Sequence, residues 1–148
     1  DRRVVAPAPA KEEAPGAPAA AMELPDGTIL TGNPSNLLGA VSALLLNALK
    51  HFAGLDDDVL LMSPDVIEPI QNLKVQHLGN NNPRLHTDET LLALSICAAS
   101  NENAKRAMEQ ISALRGCEVH STVILSPVDE RIFKRLGVNL TCEPKYQS

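Results

Sequence analysis

The segment with the strongest chemical character is NPRLHTDE, residues 82 to 89. Arg84 carries a planar guanidinium that is always charged and that suits a carboxylate or a phosphate. His86 can exchange a proton near neutral pH, while Asp88 and Glu89 can accept a proton or bind a hard cation. Together with Asn82, these residues form a candidate ligand site or interface.

The same segment can also be interpreted as the entrance to a helix. Asn82 and the following proline favour a turn, and Thr87 is a suitable N-cap for the apolar run that follows. Acidic residues in a first turn are favoured by the helix dipole. This alternative accounts for Asp88 and Glu89, but it leaves Arg84 and His86 without a role.

A second candidate site lies at the ends of the predicted strands. Ligands of open α/β sheets bind outside the carboxyl ends of the strands, where helix N-termini favour anions. The residues that such an anion pocket would use are Thr31, Gly32, Asn33, Ser35, Ser63 and Ser126. The alternative is that the serines are ordinary helix caps.

The sequence predicts no metal site and identifies no cofactor. Cys97, Cys117 and Cys142 form no C-x-x-C pair, which is typical of reduced thiols in a cytoplasmic protein. The chain also contains no G-x-S-x-G, H-E-x-x-H or Walker sequence.

Composition argues against two classes of partner. The net charge is -5, and two Phe and one Tyr are the aromatic residues of the 148. Nucleic-acid binding calls for basic surfaces with stacking aromatics, so we expect no nucleic-acid partner. We also expect no membrane partner, because the apolar runs are too short to span a bilayer.

The pattern of apolar residues and turns predicts an α/β fold with the element order β-α-β-α-α-α-β-α-β. We expect a small, mostly parallel sheet of about four strands covered by about five helices. The predicted strands lie near residues 28–31, 59–63, 118–125 and 138–142. In a simple winding of this order, the 82–89 loop and the Ser-Pro turns at Ser63 and Ser126 lie at opposite edges of the sheet.

The first 21 residues differ in composition from the rest. Residues 6–21 are mostly Ala and Pro, which is typical of an extended linker. We therefore expect a linker over residues 1–21 and a single α/β domain over 22–148, forming the C-terminal part of a longer protein.

Four long stretches of the sequence resemble a known protein family and support the expectation of a longer protein. ELPDGTILTG, VIEPIQNLK, NPRLHTDETLLALSICAA and LRGCEVHSTVILSPVDERIFKRLGVNLTCEP resemble the C-terminal region of a family of uncharacterised bacterial proteins, the domain of unknown function 1846 family. The resemblance implies a much longer protein with an upstream α/β part that contains a Gly-rich, phosphate-loop-like stretch.

Two hypotheses for function follow. In the first, the chain is a binding or assembly module that docks through the Asn82–Glu89 loop against an upstream nucleotide- or phosphate-binding-like part, or against another copy of itself. In the second, it is an enzyme domain with its own anion pocket at the carboxyl ends of the strands.

Overall fold

The computed structural model describes residues 20–122 and 125–142. Within them lie four strands and five α-helices, together with one π-helical and one 3-10 turn. The strands are β1 (Ala20–Glu23), β2 (Ile29–Gly32), β3 (Glu118–Ser121) and β4 (Asn139–Cys142). The helices are α1 (Ala40–Phe52), α2 (Pro64–Asn72), α3 (Thr87–Ala98), α4 (Glu102–Met108) and α5 (Pro127–Arg135).

The four strands form one sheet in the order β2-β1-β3-β4. β1 is antiparallel to both β2 and β3, whereas β3 and β4 are parallel. The prediction of an α/β fold with four strands and five helices is thus confirmed, but the sheet is mixed instead of mostly parallel. Since β2 and β3 both oppose β1, the strands β2, β3 and β4 end at the same edge.

One predicted strand is absent and one observed strand was not predicted, so the total of four strands still agrees. Residues 59–63 form no strand: Leu61 and Met62 lie in the core, while Leu60 points outward and is 68% exposed. The strand that was missed is β1, whose first two residues belong to the predicted linker; residues 1–19 lie outside the described residues. Its Ala20, Ala21 and Met22 are fully buried, so tertiary packing overrides the weak strand propensity of alanine.

The end of β2 is packed directly against α1. A Cβ atom on Gly32 would lie 2.6 Å from both the Ala40 carbonyl oxygen and the Leu44 backbone nitrogen, closer than any side chain tolerates. Glycine therefore allows the strand and the helix to meet. The helix begins at Ala40, three residues later than Leu37, where the apolar spacing begins.

Helix α2 begins as the sequence predicts, with Ser63 as the N-cap residue and Pro64 in the first turn. Pro69 lies inside the helix, which continues into a π-helical turn, Leu73–His77. Gly79 follows with a φ of 74°, a conformation that glycine adopts readily. Within the described part of the chain, no helix is long and apolar enough to cross a membrane.

Candidate functional site

A surface pocket of about 380 Å³ lies beside the carboxyl end of β3. Three segments of the chain line it: the first turn of α1, the loop before α3, and the connection from β3 into α5. We call it the carboxyl-edge pocket; its lining residues are Gly39, Ala40, Val41, Ser42, Asn82, Arg84, Leu85, His86, Ser121, Leu125, Ser126, Pro127 and Asp129.

The backbone of Leu85 anchors the loop before α3 to the segment before α1. Its N–H donates to the Leu37 carbonyl at 2.9 Å, and its own carbonyl accepts from Gly39 N at 3.3 Å. The same carbonyl accepts from the buried Ser42 hydroxyl at 2.9 Å. These bonds form a short parallel bridge between Leu38 and Leu85, which fixes the residues on either side of Leu85.

Arg84 extends from this anchored loop with an exposed side chain. Its Nε donates to the Ser35 carbonyl at 2.6 Å, which orients the guanidinium. Among the described residues, neither Nη1 nor Nη2 of Arg84 has a hydrogen-bond partner. Part of the guanidinium is therefore available to an external carboxylate or phosphate.

Asn82 contributes to the shape of this loop. Its side-chain Oδ1 accepts from Arg84 N at 3.0 Å, and its own N–H donates to Asn80 Oδ1 at 2.9 Å. Asparagine side chains commonly stabilise turns in this way. Asn82 thus supports the turn that presents Arg84.

His86 is the N-cap residue of α3, in place of the expected Thr87. Its N–H donates to Glu89 Oε1 at 2.9 Å, while its Nδ1 lies 3.5 Å from that same oxygen. The half-buried imidazole is thus held beside a carboxylate. Asp88 has a local role, because its Oδ1 accepts from Glu89 N at 2.7 Å.

Lys74 connects the π-helical turn to the loop before α3. Its side chain is 3% exposed, and Nζ donates to the Arg84 carbonyl at 2.6 Å and to Glu89 Oε1 at 2.8 Å. Burial of Glu89 raises its pKa. The hydrogen bonds from Lys74 and from the His86 backbone, together with the charge of Lys74, lower it by more than burial raises it, so the pKa of Glu89 lies below its ordinary value. Glu89 is therefore ionised at neutral pH and holds the loop through its charge.

A buried contact between Thr87 and Asp129 joins α3 to α5. Asp129 Oδ1 accepts from Thr87 N at 2.8 Å and from Thr87 Oγ1 at 2.7 Å. Both residues are buried. The Thr87 hydroxyl donates to α5 and does not cap α3. This explains why Thr87 is the first residue of the helix and not its N-cap.

Three helix N-termini meet at the carboxyl-edge pocket. The N-cap residues of α1, α3 and α5 are Gly39, His86 and Ser126, and all three line it. Each helix presents the positive end of its dipole there. Among the described lining residues, Arg84 adds a full positive charge and Asp129 is the sole acidic residue.

The predicted separation of the 82–89 loop from the Ser-Pro turn at Ser126 was wrong. Asn82, Arg84, His86 and Ser126 line the same pocket, at the edge where β2, β3 and β4 end. The prediction counted residues 59–63 as a strand. Without that strand, α2 does not start from the sheet edge. The predicted winding, in which strands and helices run alternately up and down, therefore does not apply.

The six residues of the predicted anion pocket do not come together. Ser126 lines the carboxyl-edge pocket, whereas Thr31 and Asn33 line a different hollow, and Ser35 lines a third one. Gly32 is packed against α1, and Ser63 is exposed at the start of α2. Ser126 also acts as an ordinary cap, because its Oγ accepts from Asp129 N at 3.1 Å.

Lys74, Asp129 and Ser42 were not singled out from the sequence. A lysine in a mostly exposed helical segment and an acid in a first turn are usually surface residues, so their patterns gave no indication of burial.

Within the described residues, no group of three His, Cys, Asp or Glu side chains is placed to hold a metal ion.

We predict that Thr87→Val lowers the free energy of unfolding by about 1.5–3 kcal/mol, because it removes a hydrogen bond to a charged group and keeps the shape. The matched control is Thr90→Val, one turn further along α3. The Thr90 hydroxyl is buried and has no partner among the described residues, so this change should be neutral or stabilising. Chemical denaturation measures both, and equal losses would contradict the role of Thr87.

We predict that Glu89→Gln lowers the free energy of unfolding at neutral pH by about 3 kcal/mol, because Lys74 is left as a buried charge without its counter-ion. The folded-state pKa of Glu89 lies below its ordinary value, so the stabilisation by its ionised carboxylate is complete above the unfolded-state pKa. It is lost as the pH falls through the folded-state value. The difference between wild type and variant should therefore vanish in acid, while Glu68→Gln, at an exposed position of α2, should change little at any pH.

Comparison with known proteins finds close relatives. A "UPF0371 protein cu0538" from Corynebacterium urealyticum is 62% identical over 146 residues, and a "UPF0371 protein" from Corynebacterium glutamicum is 60% identical over 147. A "UPF0371 protein str1377" from Streptococcus thermophilus is 51% identical over 147 residues. Each alignment covers 99% of this chain but 29–30% of the relative, so the chain spans less than a third of the length of these proteins.

The family model described as "Domain of unknown function DUF1846, C-terminal" matches residues 1–148. This match bears out the resemblance found in the sequence. The chain belongs to the family of DUF1846 C-terminal domains.

Proposed function

We propose that the domain is a cytoplasmic binding module whose Asn82–Glu89 loop completes a site for a phosphate-bearing small molecule at the carboxyl-edge pocket. The remaining part of such a site would come from another region of the full-length protein. The observation that carries the proposal is Arg84, which lines the pocket together with the N-cap residues of three helices and has a partly unengaged guanidinium.

Arg84 supports the proposal because its position is determined by four neighbours. The Ser35 carbonyl holds Nε, the Lys74 ammonium holds the Arg84 carbonyl, and the Asn82 side chain holds the backbone N–H. Leu85, the next residue, is bridged to Leu38. An arginine that is fixed in this way loses little conformational entropy when it binds an anion.

The electrostatic balance of the pocket also favours an anion. The positive ends of three helix dipoles and the charge of Arg84 oppose one carboxylate, that of Asp129. Asp129 is 5% exposed, and its Oδ1 is occupied by the two donors of Thr87. Its charge is thus stabilised by the start of α3 and offers weak competition to a ligand anion.

His86 suits the edge of such a site. Its backbone N–H and Nδ1 both face Glu89 Oε1, an arrangement that restricts the rotation of the ring. His86 also lines the pocket as the N-cap residue of α3. We propose that it contributes to the edge of the phosphate site and that Asp88 and Glu89 serve the loop, not the ligand.

The share of the relatives that the chain covers supports a composite site. The domain spans 29–30% of these relatives, and a full-length protein of similar length would have a large further part beside it. Ligand sites are often formed where two domains meet. The alternative, an enzyme domain with its own anion pocket at the carboxyl ends of the strands, has less support because the lining serines Ser42 and Ser126 bond to the backbone. The Ser42 hydroxyl donates to the Leu85 carbonyl, and the Ser126 hydroxyl accepts from Asp129 N.

We predict that phosphate-bearing ligands raise the unfolding temperature of the full-length protein through mass action. Inorganic phosphate, pyrophosphate and a nucleoside diphosphate would be titrated separately, at ionic strength matched with sodium chloride. Arg84→Gln should weaken binding by about 10- to 100-fold, the loss expected for a charge-assisted hydrogen bond.

The matched control for this experiment is Arg131→Gln, which removes a charge at an exposed position of α5. It should leave the affinity unchanged. The proposal is wrong if none of the three ligands shifts the unfolding temperature, or if both arginine variants weaken binding equally. Binding of the diphosphate with no binding of the inorganic ions would identify a nucleotide as the source of the phosphate.

A further inference from the structure

The outer face of α3 is apolar where a surface helix is normally polar. Leu92 and Ile96 are 63% and 61% exposed, and they lie one turn apart on the same side of the helix. Ser95 and Ala99 complete this side, and both are exposed. We call these four residues the outer face of α3.

The opposite side of α3 is buried. Thr90, Ala93, Leu94 and Cys97 face the interior. From Thr90 to Ala99 the helix and its C-cap carry no charged residue, so apolar and small side chains surround it on both sides. A helix with this composition is typical of a position between two packed layers.

From these observations we infer that the preceding part of the full-length polypeptide packs against the outer face of α3. This surface is separate from the carboxyl-edge pocket, and the inference does not depend on the ligand proposed for that pocket. The two are related by geometry, because α3 begins at the loop that carries Arg84 and His86.

The size of the surface favours a tethered occupant over a second copy of the chain. Stable complexes between separate chains bury about 800 Å² on each partner, and the outer face of α3 presents two large side chains. A part of the same polypeptide has a high effective concentration. A modest apolar contact is therefore enough to keep it in place.

The amount of polypeptide beyond this chain is also sufficient. The chain covers 29% of the Corynebacterium urealyticum relative and 30% of the Corynebacterium glutamicum one. Most of each relative is thus available to cover an apolar surface on this domain. A partner of this kind would bury Leu92 and Ile96.

Thiol labelling of the full-length protein tests the inference. Ile96→Cys places a thiol on the outer face of α3, and Ser112→Cys places one at an exposed site between α4 and β3. The native Cys97 and Cys117 are buried, and the unsubstituted protein gives the background rate. We expect Cys at position 96 to react at least about tenfold more slowly than Cys at position 112, since labelling then requires local separation of the parts.

The labelling is repeated over a hundredfold range of protein concentration. Protection that stays the same at every concentration supports packing within one polypeptide. Protection that disappears on dilution would assign the surface to a second copy and overturn the inference. Equal reaction rates at the two positions would also overturn it, because the outer face of α3 would then be open to solvent.

Discussion

The candidate site depends on the backbone of Leu85. This buried residue bonds to Leu37, Gly39 and the Ser42 hydroxyl, and it joins the loop before α3 to the segment that leads from β2 into α1. Arg84 and His86 flank it in the sequence, so both side chains take their places from one anchored position. Lys74 supports the loop from the other side through the Arg84 carbonyl and Glu89. Without these contacts, an exposed arginine on a loop would have no fixed direction.

Much of the fold could be predicted from the sequence, and the failures have a physical cause. Helical spacing of apolar residues, glycines at helix ends and Ser-Pro starts identified the helices, since these signals are local. The strand β1 escaped because Ala20 and Ala21 have low strand propensity and are held by neighbours that are distant in sequence, His120 and Ser121. The run at 59–63 was misread because a short apolar stretch can fill a core without pairing to a sheet.

The site was predictable in part for a related reason. Arg84 and His86 were identified because helix capping did not account for them, and their chemistry is visible in the residue types. Their meeting with Ser126 could not be predicted, because it depends on the course of the chain through the wrongly predicted strand. Lys74 and Asp129 act through burial and through partners 15 and 42 residues away. No local pattern reports such contacts.

The most direct test of phosphate binding at the carboxyl-edge pocket is a crystal structure of the full-length protein soaked with tungstate, an analogue of phosphate that scatters X-rays anomalously. The account predicts an anomalous peak within hydrogen-bond reach of the Arg84 guanidinium, beside the first turns of α1 and α5. A peak bound elsewhere, with the carboxyl-edge pocket empty at the same tungstate concentration, would contradict it.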